Sequence, residues 1–247
     1  MVCSYNRTGA QAKERSPRRK GGDTVRYGTV IAGRFLDRPN RFIAHVETAE
    51  GVQTVHVKNT GRCRELLVPG AVVYLERGTN PGRKTLYDLI AVEKGSLLIN
   101  MDAQAPNRVF AEWTESLDDV TEVRREVPYG ASRLDFRLET ASGSQLVEVK
   151  GVTLEDGGMA RFPDAPTERG VKHIRELQRA VEAGLRATLF FVVQMEGIRG
   201  VRPNDATHPA FGQALREAAA KGVQVLAYDC VVTPDSLAIG RPVPVIL

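Results

Sequence analysis

Only three cysteines, Cys3, Cys63 and Cys230, occur in 247 residues, and no Cys-x-x-Cys pair is among them. An odd count at wide spacing excludes a disulfide framework and a cysteine zinc site, and leaves isolated thiols. No run approaches the roughly 18 apolar residues of a membrane span; the longest, Ala187 to Val193, has the length of a buried strand. The first residues are basic but lack the apolar core of a secretory signal, so a cytoplasmic protein is expected. Internal repeats and low-complexity core segments are missing too. With 42% hydrophobic and 26% charged residues, the chain has enough apolar material for one large domain or two smaller ones.

The formal net charge of +4 is unevenly spread: residues 1–26 carry +5, residues 27–110 carry +3, and the remainder carries −4. Residues 1–26 are rich in Gly, Arg and Lys and offer no apolar periodicity, so they read as a disordered basic tail. An acidic C-terminal half is awkward for a bare DNA-binding surface. It suits a site whose carboxylates are neutralised by a cation.

Residues 27–103 alternate short strand patterns with turn signals such as Arg38-Pro39-Asn40, Ala49-Glu50-Gly51 and Pro69-Gly70. This spacing predicts a small β-barrel; an OB-like barrel is preferred and an SH3-like one fits nearly as well. Residues 104–247 have a different texture, in the order α-β-β-β-α-β-α-β. A helix over 105–116 leads into strands at 120–127, 132–138 and 145–150, then a Gly/Pro-rich loop over 156–166. After it come a helix over 168–183, an apolar strand over 187–194, a helix over 208–221 and a strand over 223–231. A meander followed by a crossover helix and parallel strands makes a mixed-sheet α/β domain.

The hairpin within that meander carries the chemistry. Thr140 to Ser144 reads as a turn between Ser132–Leu138 and Gln145–Lys150. Alternation puts Leu134, Phe136 and Leu138 on one face with Val147 and Val149, and Asp135 on the other with Glu148 and Lys150. Two carboxylates and an ammonium converging there match the way PD-(D/E)XK nucleases hold a divalent cation, Mg²⁺ or Mn²⁺. Asp135 and Glu148 would be its ligands, and Asp135, Glu148 and Lys150 the catalytic set. A solvated ladder of cross-strand ion pairs is the competing reading of the same spacing.

Several segments together resemble the sugar fermentation stimulation protein (SfsA) family. They are Arg34 to Phe42, His56 to Arg62, Glu65 to Gly70, Arg83 to Tyr87, Tyr129 to Phe136, Glu148 to Leu154 and Phe162 to Gly170. The resemblance covers roughly residues 30–232 and implies an OB-like barrel followed by a PD-(D/E)XK nuclease-like domain. It also implies DNA binding with little sequence preference and a link to regulation of maltose metabolism. An active metal-dependent DNA or RNA nuclease is the alternative function.

Nucleic-acid contacts are expected on the barrel. Arg41 and Phe42 form a basic/aromatic pair suited to a phosphate and a base, with a core position the other reading of Phe42. Asn59, Arg62 and Arg64 lie in or beside a Gly-containing loop that suits either phosphate contact or plain solvent exposure. Asp164 reads as a turn residue or an additional cation ligand. His56 is expected to be structural, and Arg169, Lys172, Arg175 and Arg179 to line the exposed side of a helix.

Overall fold

A computed structural model describes residues 25–59 and 61–247. Residues 1–24, most of the expected tail, lie outside the described residues, as do Cys3 and Thr60. The elements run β1 (Val25–Arg26), β2 (Val30–Asn40), β3 (Ile43–Thr48), β4 (Gly51–Val57), β5 (Val72–Arg77), β6 (Tyr87–Lys94), β7 (Leu97–Asn100), α1 (Ala105–Thr114), β8 (Val120–Tyr129), β9 (Ser132–Thr140) and β10 (Gly143–Val152). There follow β11 (Leu154–Asp156), β12 (Met159–Phe162), α2 (Glu168–Glu182), β13 (Arg186–Val193), β14 (Val201–Pro203), α3 (Pro209–Ala220), β15 (Gln224–Thr233) and β16 (Ser236–Pro242).

Strands β2 to β6 form the barrel, in the order β4-β3-β2-β5-β6, and parallel pairing of β4 with β6 closes it. Closure removes the exposed edges that so short a sheet would otherwise present. Alternation along each strand fills the interior with Phe35, Val46, Val55, Val73, Leu75 and Leu89, all buried.

The second sheet has seven strands, ordered β1-β16-β15-β13-β10-β9-β8. β10, β13 and β15 are parallel, as expected for strands joined by the crossover helices α2 and α3. One buried cluster unites Phe110 of α1 with Phe136, Val147, Val149 and Phe190; another unites Ile174 and Leu177 of α2 and Leu215 of α3 with Leu189 and Phe191. β13 serves both, which is why its sequence is apolar on every position after Arg186 except Thr188.

Several details differ from the sequence expectations. Val25 and Arg26, assigned to the tail, form β1 and pair with Leu237 and Ser236, because Val25 is a fully buried apolar residue. The Gly/Pro-rich loop over 156–166 contains β12, which joins β11 and β14 in a three-stranded sheet. Arg38 to Asn40 continue β2 past two irregularities in register instead of separating strands. β16 was hidden by its Gly and Pro residues, and it pairs antiparallel with β15.

Candidate functional site

The β9/β10 ladder runs from the Thr140/Gly143 pair to the Phe136/Val147 pair and ends there. Beyond it the strands part, and the Asp135 carboxylate takes the place of a ladder partner: its Oδ2 accepts the Val149 N–H at 2.8 Å. Its Oδ1 accepts from the Asn107 amide of α1 at 2.9 Å. Opposite this point on β8, Glu126 adopts a φ of 55°. Alternation is interrupted here, so Leu134, expected beside Phe136, belongs to the buried cluster containing Ile174 and Leu177.

Glu148 is 2% exposed. Its Oε1 accepts from both Lys150 Nζ and His173 Nδ1. Its Oε2 is buried and has no hydrogen-bond partner. His173 comes from α2, which starts at Thr167 because the threonine side chain accepts the Gly170 N–H and Glu168 supplies a negative charge to the first turn. The His173 Nε2 faces Arg169 Nε at 3.3 Å, so both ring nitrogens are engaged.

Burial raises the Asp135 carboxyl above the ordinary aspartate range, and the neighbouring Glu148 charge pushes the same way. Burial also works against ionisation of Glu148, but the His173 hydrogen bond and the Lys150 charge outweigh it and hold this carboxyl below its ordinary range. Two adjacent carboxyls are thus driven in opposite directions, a pattern that accompanies functional sites and structural ion pairs alike.

The structure therefore brings Asp135, Glu148 and Lys150 together. The flanking arginines pair elsewhere: Arg133 lies 3.8 Å from Glu126 at the surface, and Arg137 lies 2.7 Å from Glu139 in a half-buried pair. Among the described residues no group of three or more His, Cys, Asp and Glu side chains forms a ready metal cage. The residues present fit a hard cation nonetheless, because Glu148 Oε2 is an orphaned buried oxygen beside a second carboxylate, and water ordinarily completes such shells.

The barrel residues gather around one loop. The Arg38 guanidinium donates to the carbonyls of Gly61 and Arg62 at 3.0 Å and to those of Arg41 and Asn59 at 2.7 Å. Asn59 Oδ1 accepts the Gly61 N–H at 2.7 Å, closing the turn. Arg41, Arg62 and Arg64 are exposed, and so is Phe42 at 50%, which corrects the reading of Phe42 as core. Asp164 of the second domain accepts the Arg62 N–H at 3.0 Å. That bond links the domains, and Asp164 lies in the bend between β12 and α2, in keeping with a turn residue. His56 bonds Asp88, as does Arg83, in a structural network. Cys63 and Cys230 are buried and free, and burial pushes the Cys63 thiol up to about 12, an inert state.

His173, Asn107 and Arg38 were missed by sequence reasoning. His173 sits four residues before Leu177 and seven before Ala180, on the buried stripe of α2, and that is its only sequence signal. Nothing marks Asn107. Arg38 is concealed by the Pro39-Asn40 turn signal beside it.

Two family models match in tandem, the "SfsA N-terminal OB domain" over residues 36–101 and the "Sugar fermentation stimulation protein RE domain" over residues 104–236. A sugar fermentation stimulation protein homolog of Desulfitobacterium hafniense (strain Y51) is 53% identical over 218 residues, covering 87% of this chain and 96% of that protein. The chain belongs to the sugar fermentation stimulation protein family. A homolog of the same name from Ruminiclostridium cellulolyticum is 50% identical over 224 residues, covering 90% of this chain and 99% of the other. The solved structure of Pyrococcus furiosus SfsA in complex with Ca²⁺ superposes with a TM-score of 0.81 at 27% identity, covering 91% of this chain and all of that one. Both domains of the SfsA architecture are therefore present: an OB barrel and a mixed-sheet domain. Among the described residues, no helix is long and apolar enough to cross a membrane.

Proposed function

We propose that this SfsA protein binds DNA in the cytoplasm with little sequence preference, and that Asp135 and Glu148 hold a Mg²⁺ or Mn²⁺ ion next to the bound backbone. The observation that carries the reading is the buried Oε2 of Glu148, an oxygen with no hydrogen-bond partner although Oε1 of the same carboxylate is paired with Lys150 and His173. The Ca²⁺ of the Pyrococcus furiosus relative supports a divalent cation in this family. On the barrel, exposed Arg41, Arg62 and Arg64 would meet phosphates, Phe42 would stack a base, and Asn59 would shape the loop between them. The regulatory link to sugar metabolism that the family resemblance implies would follow from such binding.

Phosphodiester hydrolysis is the second reading, favoured by Lys150 on the Glu148 carboxylate. A cation bound there would polarise a phosphate oxygen and lower the pKa of an attacking water. Lys150 Nζ, 16% exposed at the side chain, would orient that water or stabilise charge developing on the phosphate, and His173 would keep Glu148 fixed.

One experiment separates these readings. Purified protein is incubated with single- and double-stranded DNA and RNA in Mg²⁺, Mn²⁺ or EDTA, and both binding and cleavage are scored. Binding without cleavage in any cation supports the binding protein, and cation-dependent cleavage lost in Lys150→Ala supports the nuclease. Absence of binding in every condition would defeat both.

A further inference from the structure

We propose that the cleft between the barrel and the second domain receives one unpaired nucleotide, so that single strands and overhangs, in place of blunt duplex, are the preferred partners of the site. The inference rests on the DNA-binding reading above and adds the substrate class.

The cleft has a volume of about 380 Å³, the scale of a small-ligand site and room for about one nucleotide. Arg41 and Asn59 line it from the barrel; Thr153, Arg161 and Phe162 line it from the second domain. Its floor includes Gly151 at the C-terminal end of β10 and Gln194 just past β13, two parallel neighbours. Ligands of open α/β sheets bind at that end of the strands. Gly151 follows Lys150 in β10, so the cleft and the Asp135–Glu148 pair share the C-terminal half of that strand. A Cβ at Gly151 would collide with Gln194 Oε1 and Pro106, so only glycine lets those two side chains pack against β10 here.

The lining has the chemistry of a nucleotide site. Arg41 and Arg161 supply positive charge from opposite walls, and the buried Arg161 Nε has no partner, although the same guanidinium pairs with Asp156 at 2.9 Å. Phe42, half exposed, adjoins Arg41 and offers a stacking face to the next base. A strand crossing Phe42, entering beside Arg41 and leaving over Gly151 would run past the end of β10, the strand that carries Glu148 and Lys150. The Arg62–Asp164 bond ties the two walls together at one side, and the volume of the cleft matches one nucleotide better than the two of a base pair.

The test measures anisotropy of labelled DNA in EDTA with a blunt duplex, the same duplex bearing an unpaired overhang, and the overhang strand alone. The wild type should bind the last two about tenfold more tightly than the first, the scale of one stacked base. Ala103 is exposed, lines the cleft, and has its backbone N–H held by the Lys58 carbonyl, so Ala103→Trp adds bulk to the cleft without removing a bond. That variant should lose the preference for unpaired DNA and keep its blunt-duplex affinity. If it fails to fold by circular dichroism, Arg161→Gln must show the same loss. Equal wild-type affinity for the three DNAs, or a preference that survives the substitutions, overturns the inference while leaving DNA binding intact. Failure to bind any DNA overturns the parent reading with it.

Discussion

Asp164 reaches out of the second domain to accept the Arg62 N–H of the barrel at 3.0 Å, while Arg38 holds the carbonyls of the same loop from within the barrel. The loop carrying Arg62 is thereby fixed from both sides. Asp164→Ala should cost about 1–2 kcal/mol, lowering the thermal midpoint by roughly 2–8 °C. Hydrogen exchange should quicken at the Arg62 amide, and an unchanged exchange rate there would show that the bond is not formed in solution.

Arg41 and Arg62 are exposed charges on the barrel, and arginines that meet phosphates carry affinity without sequence information. Replacing both with Ala should weaken binding to all DNA sequences alike. The slope of log affinity against log salt should flatten by about 1–2 units, since every phosphate that a side chain neutralises adds roughly one to it. An unchanged slope would take these residues out of the interface.

A cation that binds only the folded state raises stability with its concentration, by about 2.7 kcal/mol at a hundredfold excess over its dissociation constant. Mn²⁺ or Mg²⁺ should therefore raise the melting temperature of the wild type. Asp135→Asn should abolish the rise and leave the cation-free protein as stable or more so, because one of two repelling carboxylates is gone. A wild type indifferent to millimolar amounts of both cations would eliminate the metal site.

Stability should depend on pH with opposite signs at the two carboxyls. The raised Asp135 group stabilises the fold below the ordinary aspartate range, and that contribution disappears as pH rises through its raised value. The depressed Glu148 group contributes above the ordinary glutamate range, and its contribution disappears as pH falls through its lowered value. Across the acid range from the lowered Glu148 value up to the raised Asp135 value, Glu148→Gln should lose stability relative to wild type as pH rises toward the ordinary glutamate range, and Asp135→Asn should gain it as pH rises above the ordinary aspartate range. Urea titrations across that interval measure both, and parallel curves for the three proteins would remove the coupling.

The hairpin was legible because two-residue alternation is a property of the strand itself, visible in Arg133-Leu134-Asp135-Phe136 and Val147-Glu148-Val149-Lys150. Its interruption at Asp135 was not, since the parting of β9 from β10 depends on tertiary partners, Asn107 and the Val149 N–H, that leave no pattern in either strand. His173 was obscured for a related reason. A histidine on a buried helical stripe reads as packing until the chain brings Glu148 to it. The barrel could be read from its turn residues, yet β12 and β16 could not, as each is short or rich in the same Gly and Pro that elsewhere mark loops.

The pairing of Val25 with Leu237 makes the barrel an insertion within the second domain. Val25 and Tyr27 contribute to the buried cluster around Phe110 and Phe190, so that core draws on residues from before the barrel as well as after it. During synthesis the earliest of these positions leaves the ribosome long before Leu237 exists. The barrel can close while its own leading residues still await their sheet, and the mixed-sheet domain can be completed only when nearly all of the chain has been made. A fragment cut at the boundary near residue 104 would for the same reason lack an edge strand, and expressing the two halves separately would not reproduce the two domains.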